Sequence, residues 1–435
     1  MRKRSLLATV GAAAVAVVTA TAPATAAPET TDHARGGSGS VHCPQLSTDL
    51  EWHGDNRERL QQVIDERGRC DDHGRSGHGQ RPVAAFDWDN TITKNDTTDT
   101  VLAWALEHDK ILRPAKWTDI SKWLTPAADR ALTEACGTDV PVGAPLPTST
   151  DTDCTDEIFS LRTEAKTMAG AEGFEGEWNH RRTVPEYAWV GQLFAGHTVS
   201  ELRHYASQAR DEWLAAPVGS ERQVGSHTMH GYVRYYDQQR DLIRTLQRAG
   251  FEVYIVSAGV EPVAEEWAEG VGIDRKHTIG IRNTTDHGRL TPYNEGCGDE
   301  KRVVHGDSIP YIDGKRCWIN QEIFGVHGAD AWERQAWHKR IAVGGGDADT
   351  DVTFVDDATG AHLVLNRNKN EINCRAYDNE DGRWVLNPMF IDPEPRMKGT
   401  YPCSTEGYTN TDGSLGPVLR HDGSVIPDQR DTIHG

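Results

Sequence analysis

The stretch Val83-Ala84-Ala85-Phe86-Asp87-Trp88-Asp89-Asn90-Thr91 constrains the fold more than any other part of the chain. The apolar run Val83–Phe86, entered through Pro82, reads as a buried strand. Two aspartates follow at its carboxyl end, with one residue between them. Ligand sites in open α/β sheets form just beyond the carboxyl ends of strands. Two carboxylates placed there repel each other unless a cation or a shared proton compensates them. Taken alone, these residues fit a polar turn closing a strand equally well, so the rest of the chain has to decide.

The strand-then-polar order recurs downstream. Phe251–Val256 is a second apolar run, ending in Ser257-Ala258-Gly259, and Thr278–Ile281 is a third. Arg340–Val343 reads as a strand running into Gly344-Gly345-Gly346-Asp347-Ala348-Asp349-Thr350-Asp351, and His362–Leu365 reads as the last strand. Apolar residues at helical spacing predict helices over Leu50–Ile64, Thr98–His108, Tyr232–Ala249 and Glu261–Glu269. Gly250 would end the third of these, and Gly314-Lys315 would open a further helix over Trp318–Phe324. This alternation predicts an α/β fold with a Rossmann-like parallel sheet. Residues 110–230 break the rhythm with Trp117, Trp123, Trp178, Trp189 and Trp213, a proline-rich stretch from Pro141 to Pro147, and a capped helix after Thr198. They read as a mainly helical insertion. Residues 283–313 read as a hairpin or excursion, and residues 404–435 as extended or disordered.

Composition bounds the setting. A chain of 435 residues and formal net charge -20 argues against nucleic acid as a routine partner, since phosphate backbones attract Lys and Arg. Met1-Arg2-Lys3-Arg4, the apolar Leu6–Ala20 and the small residues Ala24-Thr25-Ala26 have the layout of a cleavable signal peptide over 1–27. The apolar core is short for a membrane span, so export without a membrane anchor is expected. The 8 cysteines, at 43, 70, 136, 154, 297, 317, 374 and 403, suit an oxidising destination, and none forms a CxxC pair. Pairing in sequence order, 43–70, 136–154, 297–317 and 374–403, is the favoured scheme among the 105 possible connectivities. His73 and His78 sit in a polar loop better read as solvated than as a metal site.

Asp87/Asp89/Thr91, Ser257, Lys315, and Asp347 with Asp351 now stand in one order, most of them just past strands. In that order they resemble the motif set of the haloacid dehalogenase-like (HAD) superfamily, over roughly residues 82–367. The resemblance implies a phosphatase. Asp87 would be the nucleophile that forms an aspartyl-phosphate, and Asp89 the general acid and base. Members lacking the second aspartate are dehalogenases, so Asp89 points to phosphoryl chemistry. Thr91, Ser257 and Lys315 would bind the phosphate. Mg2+ would be held by Asp87, the Asp89 carbonyl and Asp347, with Asp351 a further ligand or a supporting partner. Asp349 keeps the assignment within 347–351 open, and Lys301 is a rival to Lys315.

The position of the insertion matches the helical cap of the phosphoserine-phosphatase-like branch. The implied organisation is a leader and helix over 28–81, a core over 82–102 and 231–370, a helical cap over 103–230, and a disulfide-pinned tail over 371–435. Asp87-Trp88-Asp89-Asn90-Thr91 is also similar to the Asp-Met-Asp-Asn-Thr motif of secreted bacterial phosphorylcholine phosphatases, with Trp88 departing at the middle position. The expected substrate is therefore a small phosphate ester, with phosphocholine first. Glu175, Glu177, Trp178, Glu186, Tyr187 and Trp189 are candidates to face a quaternary ammonium. A broad-specificity secreted acid phosphatase and a non-catalytic binding protein on the same scaffold are the alternatives. Nothing in the sequence indicates oligomeric state.

Overall fold

A computed structural model describes residues 43–70, 80–302 and 307–434. The signal peptide, most of the leader and the His73/His78 loop lie outside the described residues, as does the side chain of Lys301. After α1 (Asn56–Arg67), the run Val83–Phe86 forms β1 as expected. A two-residue β2 (Thr93–Lys94) leads to α2 (Thr97–Glu107), where the Asp96 side chain caps the helix by accepting from Asp99 N. The insertion follows, with α3 (Pro126–Cys136), α4 (Thr152–Thr163), α5 (Pro185–Leu193) and α6 (Val199–Ala215). Helix α6 starts at a capping box in which Thr198 and Glu201 each bond the other's backbone N–H. The insertion closes with a hairpin of β3 (Glu221–Val224) and β4 (His227–His230).

The helix expected from Tyr232 begins later. Arg234–Tyr235 is taken up as β5, paired antiparallel with β2, and α7 runs over Asp237–Arg248. Next come β6 (Glu252–Val260), α8 (Glu261–Ala268), β7 (Thr278–Ile281) and the hairpin β8 (Asn283–Asp286) and β9 (Arg289–Asn294). Helix α9 (Asp313–Glu322) opens ahead of the expected start and includes Lys315 in its first turn. The strand expected at Arg340–Val343 is displaced onto the glycines, as β10 (Val343–Gly346). Then follow α10 (Val352–Asp356), β11 (Ala361–Asn366), α11 (Asn370–Asp378) and a further strand, β12 (Trp384–Pro388).

Strands β12-β11-β10-β1-β6-β7 form one sheet, every pair parallel. The order reverses direction at β1, so the crevice beside its carboxyl end is the topological switch point where doubly wound sheets bind ligands. Both faces are covered. Ala84 and Phe86 belong to a core shared with Leu60, Ile64, Leu242 and Leu246, whereas Val83 and Ala85 face Trp318, Phe354 and Ile372. Burial on both sides explains why β1 is apolar throughout rather than alternating.

Glycine in β10 is a packing requirement. A Cβ on Gly345 would meet Phe86 Cδ1 at 2.4 Å, and one on Gly346 would meet Asp351 Cβ at 2.4 Å. The four cysteine pairs are 43–70, 136–154, 297–317 and 374–403. The tail departs from the extended or disordered chain expected of it. Cys374, Tyr401, Cys403, Val418 and Ile426 form a small core of their own, and β13 (Tyr408–Thr409) pairs with β14 (Leu415–Gly416). Among the described residues no helix is long and apolar enough to cross a membrane.

Candidate active site

The carboxyl ends of β1 and β10 bring the sequence-selected residues together. Asp87 follows β1, and its backbone N–H donates to Gly345 O at 2.9 Å, which ties the two strands where both loops begin. Lys315, fully buried, reaches in from α9 and donates to Asp87 Oδ1 at 2.5 Å and Asp351 Oδ1 at 2.6 Å. The other Asp351 oxygen accepts from the backbone N–H groups of Asp347 and Ala348 at 2.9 and 3.0 Å. Asp351 therefore shapes the loop as well as pairing with Lys315. Asp347 Oδ1 accepts from Thr91 Oγ1 at 2.6 Å, and its Oδ2 accepts from Arg367 Nη1 at 2.7 Å.

Asp87, Asp347 and Asp351 each offer a carboxylate oxygen, and the three atoms lie within 4.8 Å of one another. Asp349 is turned away, its Oδ1 accepting from Ile372 N at 3.0 Å at the start of α11. Such a buried, all-oxygen, strongly anionic donor set fits a hard divalent cation such as magnesium. Burial is the largest influence on Asp87, pushing its pKa well above the usual carboxylate value. The Asp351 charge adds to that, and Lys315 opposes it.

Asp89 points elsewhere. Its Oδ1 accepts from Thr97 N at 2.7 Å and Thr97 Oγ1 at 2.8 Å, at the N-terminus of α2. Burial, then the Asp96 carboxylate, holds its pKa well above the ordinary value, and the Thr97 bonds pull it down. A carboxyl whose pKa is raised in this way holds its proton more readily, which suits it to giving a proton to a leaving group and taking one back. Ser257, inside β6, lines the same cavity, with its Oγ accepting from Gly259 N at 2.9 Å. Thr91 is fully buried with its hydroxyl committed to Asp347, so its contact here is with the loop carboxylate and not with the cavity.

The cavity above these groups has a volume of about 240 Å³. Its lining includes Tyr187 and four residues that sequence reasoning missed: Asp96, Asp99, Arg162 and Arg367. Arg162 comes from α4 in the insertion, donates to Asp99 Oδ1 at 2.7 Å, and lies over the Tyr187 ring at 4.7 Å. Arg367 follows β11, so its position past a strand end was a usable signal. Arg162 had none, because only the folded insertion brings α4 over β1. Of the residues put forward to face a quaternary ammonium, only Tyr187 lines this cavity. Trp189 is buried against Trp117 and Phe174, and Glu177 and Trp178 line a different depression. Trp88 is fully buried with its ring edge-on to Tyr235, away from the carboxylates.

No family model matches the chain. Over 200 residues it is 28% identical to phosphorylcholine phosphatase of Pseudomonas aeruginosa, a match covering 42% of this chain and 55% of that protein. The chain thus spans about half the length of this curated relative. Among solved structures, a conserved protein of unknown function from Anaerococcus prevotii superposes with TM-score 0.53 at 17% identity, over 79% of this chain and 96% of that one. A substrate-bound phosphoserine phosphatase gives TM-score 0.29 at 14% identity, over 66% and 86% of the two chains. The chain is thus similar in sequence, over that stretch, to a phosphorylcholine phosphatase, and similar in fold to the Anaerococcus protein. The Asp87 cluster sits at the switch point of the parallel sheet described above.

Proposed function

We propose that this HAD-like chain is an exported, magnesium-dependent phosphomonoesterase that works through an aspartyl-phosphate at Asp87. The observation that carries the proposal is Lys315 bridging Asp87 and Asp351, with Asp347 beside them, at the switch point of a parallel sheet. Asp87 would attack phosphorus, forming one O–P bond as the ester O–P bond breaks, while Asp89 gives its proton to the departing alcohol oxygen. Water would then attack the aspartyl-phosphate, Asp89 would take the proton, and phosphate would leave with Asp87 restored. Ser257 and Lys315 would hold the phosphoryl oxygens, with Thr91 acting by orienting Asp347. Asp87 and Asp347 would hold magnesium, with Asp351 and the Asp89 carbonyl in support. When bound, the ion would supply positive charge against the phosphoryl oxygens. The insertion over 103–230 would act as a cap that excludes water and selects the leaving group.

Phosphocholine remains the first substrate candidate, resting on the Asp87–Thr91 motif and on what the Pseudomonas relative is named for. Asp96, Asp99 and Tyr187 would face the quaternary ammonium. Arg162 favours a second substrate class, because it already covers the Tyr187 ring and brings a fixed positive charge into the cavity. An ester carrying a carboxylate, such as phosphoserine, would pair with it.

The test is magnesium-dependent phosphate release from phosphocholine, phosphoserine and p-nitrophenyl phosphate, with Asp87→Asn as control. A preference for phosphocholine supports the first candidate. A preference for phosphoserine that Arg162→Ala removes supports the second. Equal rates on all three indicate a broad phosphatase, and no release from any would end the enzyme proposal.

A further inference from the structure

The rim of the sheet where the strands begin, opposite the Asp87 cluster, carries arginines that the proposed chemistry does not use. Arg81 precedes β1, Arg340 precedes β10, Arg383 precedes β12, and Arg67 ends α1. Trp337, 44% exposed, stands among them. The guanidinium carbons of Arg67, Arg340 and Arg383 lie 5.1, 5.4 and 5.5 Å from its ring centroid. Three guanidinium groups so close to one ring are at most ~11 Å apart, on the order of one Debye length at physiological ionic strength, so they repel one another.

Little among the described residues offsets them. Among the described residues Arg67, Arg81 and Arg340 form no ion pair, and the buried Arg340 Nε has no hydrogen-bond partner. Arg383 pairs with Asp381 at 3.2 Å. The carboxylates nearest Arg340 are already engaged, Asp357 by Arg316 and Arg334, and Asp356 by His421. Burial, then the Arg334 charge, pulls the Arg340 pKa below the usual arginine value. In a chain of formal net charge -20, so local an excess of positive charge calls for an external anion.

Arg67, Arg81, Arg340 and Trp337 line one open cavity of about 510 Å³. Arg69 lines it too, its guanidinium donating to Gln80 O at 2.9 Å. Guanidinium forks match phosphate oxygens in paired hydrogen bonds, and several forks converging on one hollow favour a multiply charged anion. The overall negative charge disfavours close approach to an anionic bilayer and leaves a small anion free to enter.

We propose that this cavity binds a small, soluble, phosphate-bearing anion at the end of the sheet opposite the Asp87 cluster. The proposal does not depend on the phosphatase assignment. Its test is fluorine NMR of the full protein labelled with 5-fluorotryptophan, the Trp337 resonance being assigned by its loss in Trp337→Phe. Inorganic phosphate should shift that resonance saturably, and Arg67→Gln/Arg340→Gln should weaken the response at least tenfold while the thermal melt shows the protein still folded. An unsaturable shift matched by chloride at equal ionic strength would overturn the proposal. So would phosphate effects confined to other tryptophan resonances. Co-sedimentation with phosphatidylglycerol vesicles that the double variant loses, without any response to free phosphate, would assign the patch to a lipid surface and also overturn it.

Discussion

Lys315 lies without solvent exposure between two carboxylates, and its charge is what allows Asp87 and Asp351 to sit so close together. Removing one partner of a buried ionic group costs about 3–5 kcal/mol, since the remaining charges stay buried and uncompensated. Lys315→Met should therefore lower the urea unfolding free energy by about that amount and cut phosphate release by about 10²- to 10³-fold. A variant that keeps full activity would remove Lys315 from the site. At this scale the sequence was informative about placement wherever a candidate group follows a strand: Asp87, Ser257 and Asp347 do line one cavity. It was silent on Arg162 and on its pairing with Asp99 and Asp96, because α4 and α2 are brought together only in the folded insertion. The contact of Thr91 with Asp347 was not legible either. A hydroxyl facing phosphate and one facing a neighbouring carboxylate look alike in sequence.

Elements built from apolar runs were legible, and those defined by their neighbours were not. Val83–Phe86 and Thr278–Ile281 are strands as their composition predicts. Strand β10 was misplaced onto Arg340 because glycine has low strand propensity, yet Phe86 leaves room there for nothing larger. Strand β12 was missed because its short run ends in proline, which only an edge position tolerates. The tail looked disordered because it is polar. Its order comes from the Cys374–Cys403 bridge and from side-chain bonds centred on Asp431, which accepts from Tyr377 Oη at 2.8 Å and Met397 N at 3.1 Å and pairs with His434 Nδ1 at 2.7 Å. Burial alone would raise the Asp431 pKa, but bonds from His434, Met397 N–H and Tyr377 outweigh it and bring it down to about 2. A depressed carboxylate pKa contributes stability that is present above the unfolded value, about 4, and is lost as pH falls towards the folded value. Hydrogen exchange over residues 396–434 should therefore speed up between about pH 4 and pH 2, ahead of the β1 and β6 amides. Asp431→Asn should show the faster exchange already at neutral pH. Equal tail protection in both proteins at neutral pH would contradict this.

For the whole molecule, the fold follows from a sheet covered on both faces whose order reverses beside β1. That reversal gathers residues from positions 87 to 367 around one cavity. On the proposed function, the concentration of carboxylates there would make the folded state a better ligand for magnesium than the unfolded chain. At a magnesium concentration of 100 times its dissociation constant, linkage gives about 2.7 kcal/mol of added stability. Magnesium should raise the melting temperature of the native protein and leave that of Asp347→Asn unchanged, a readout independent of turnover. The account turns most directly on the covalent step at Asp87. Borohydride converts an aspartyl-phosphate to homoserine, so the protein would be quenched with borohydride during turnover of phosphocholine or p-nitrophenyl phosphate and its peptides mapped by mass. Homoserine at position 87, dependent on both substrate and magnesium, is the predicted result. Turnover with position 87 unmodified, or with the modification at another carboxylate, would contradict the account.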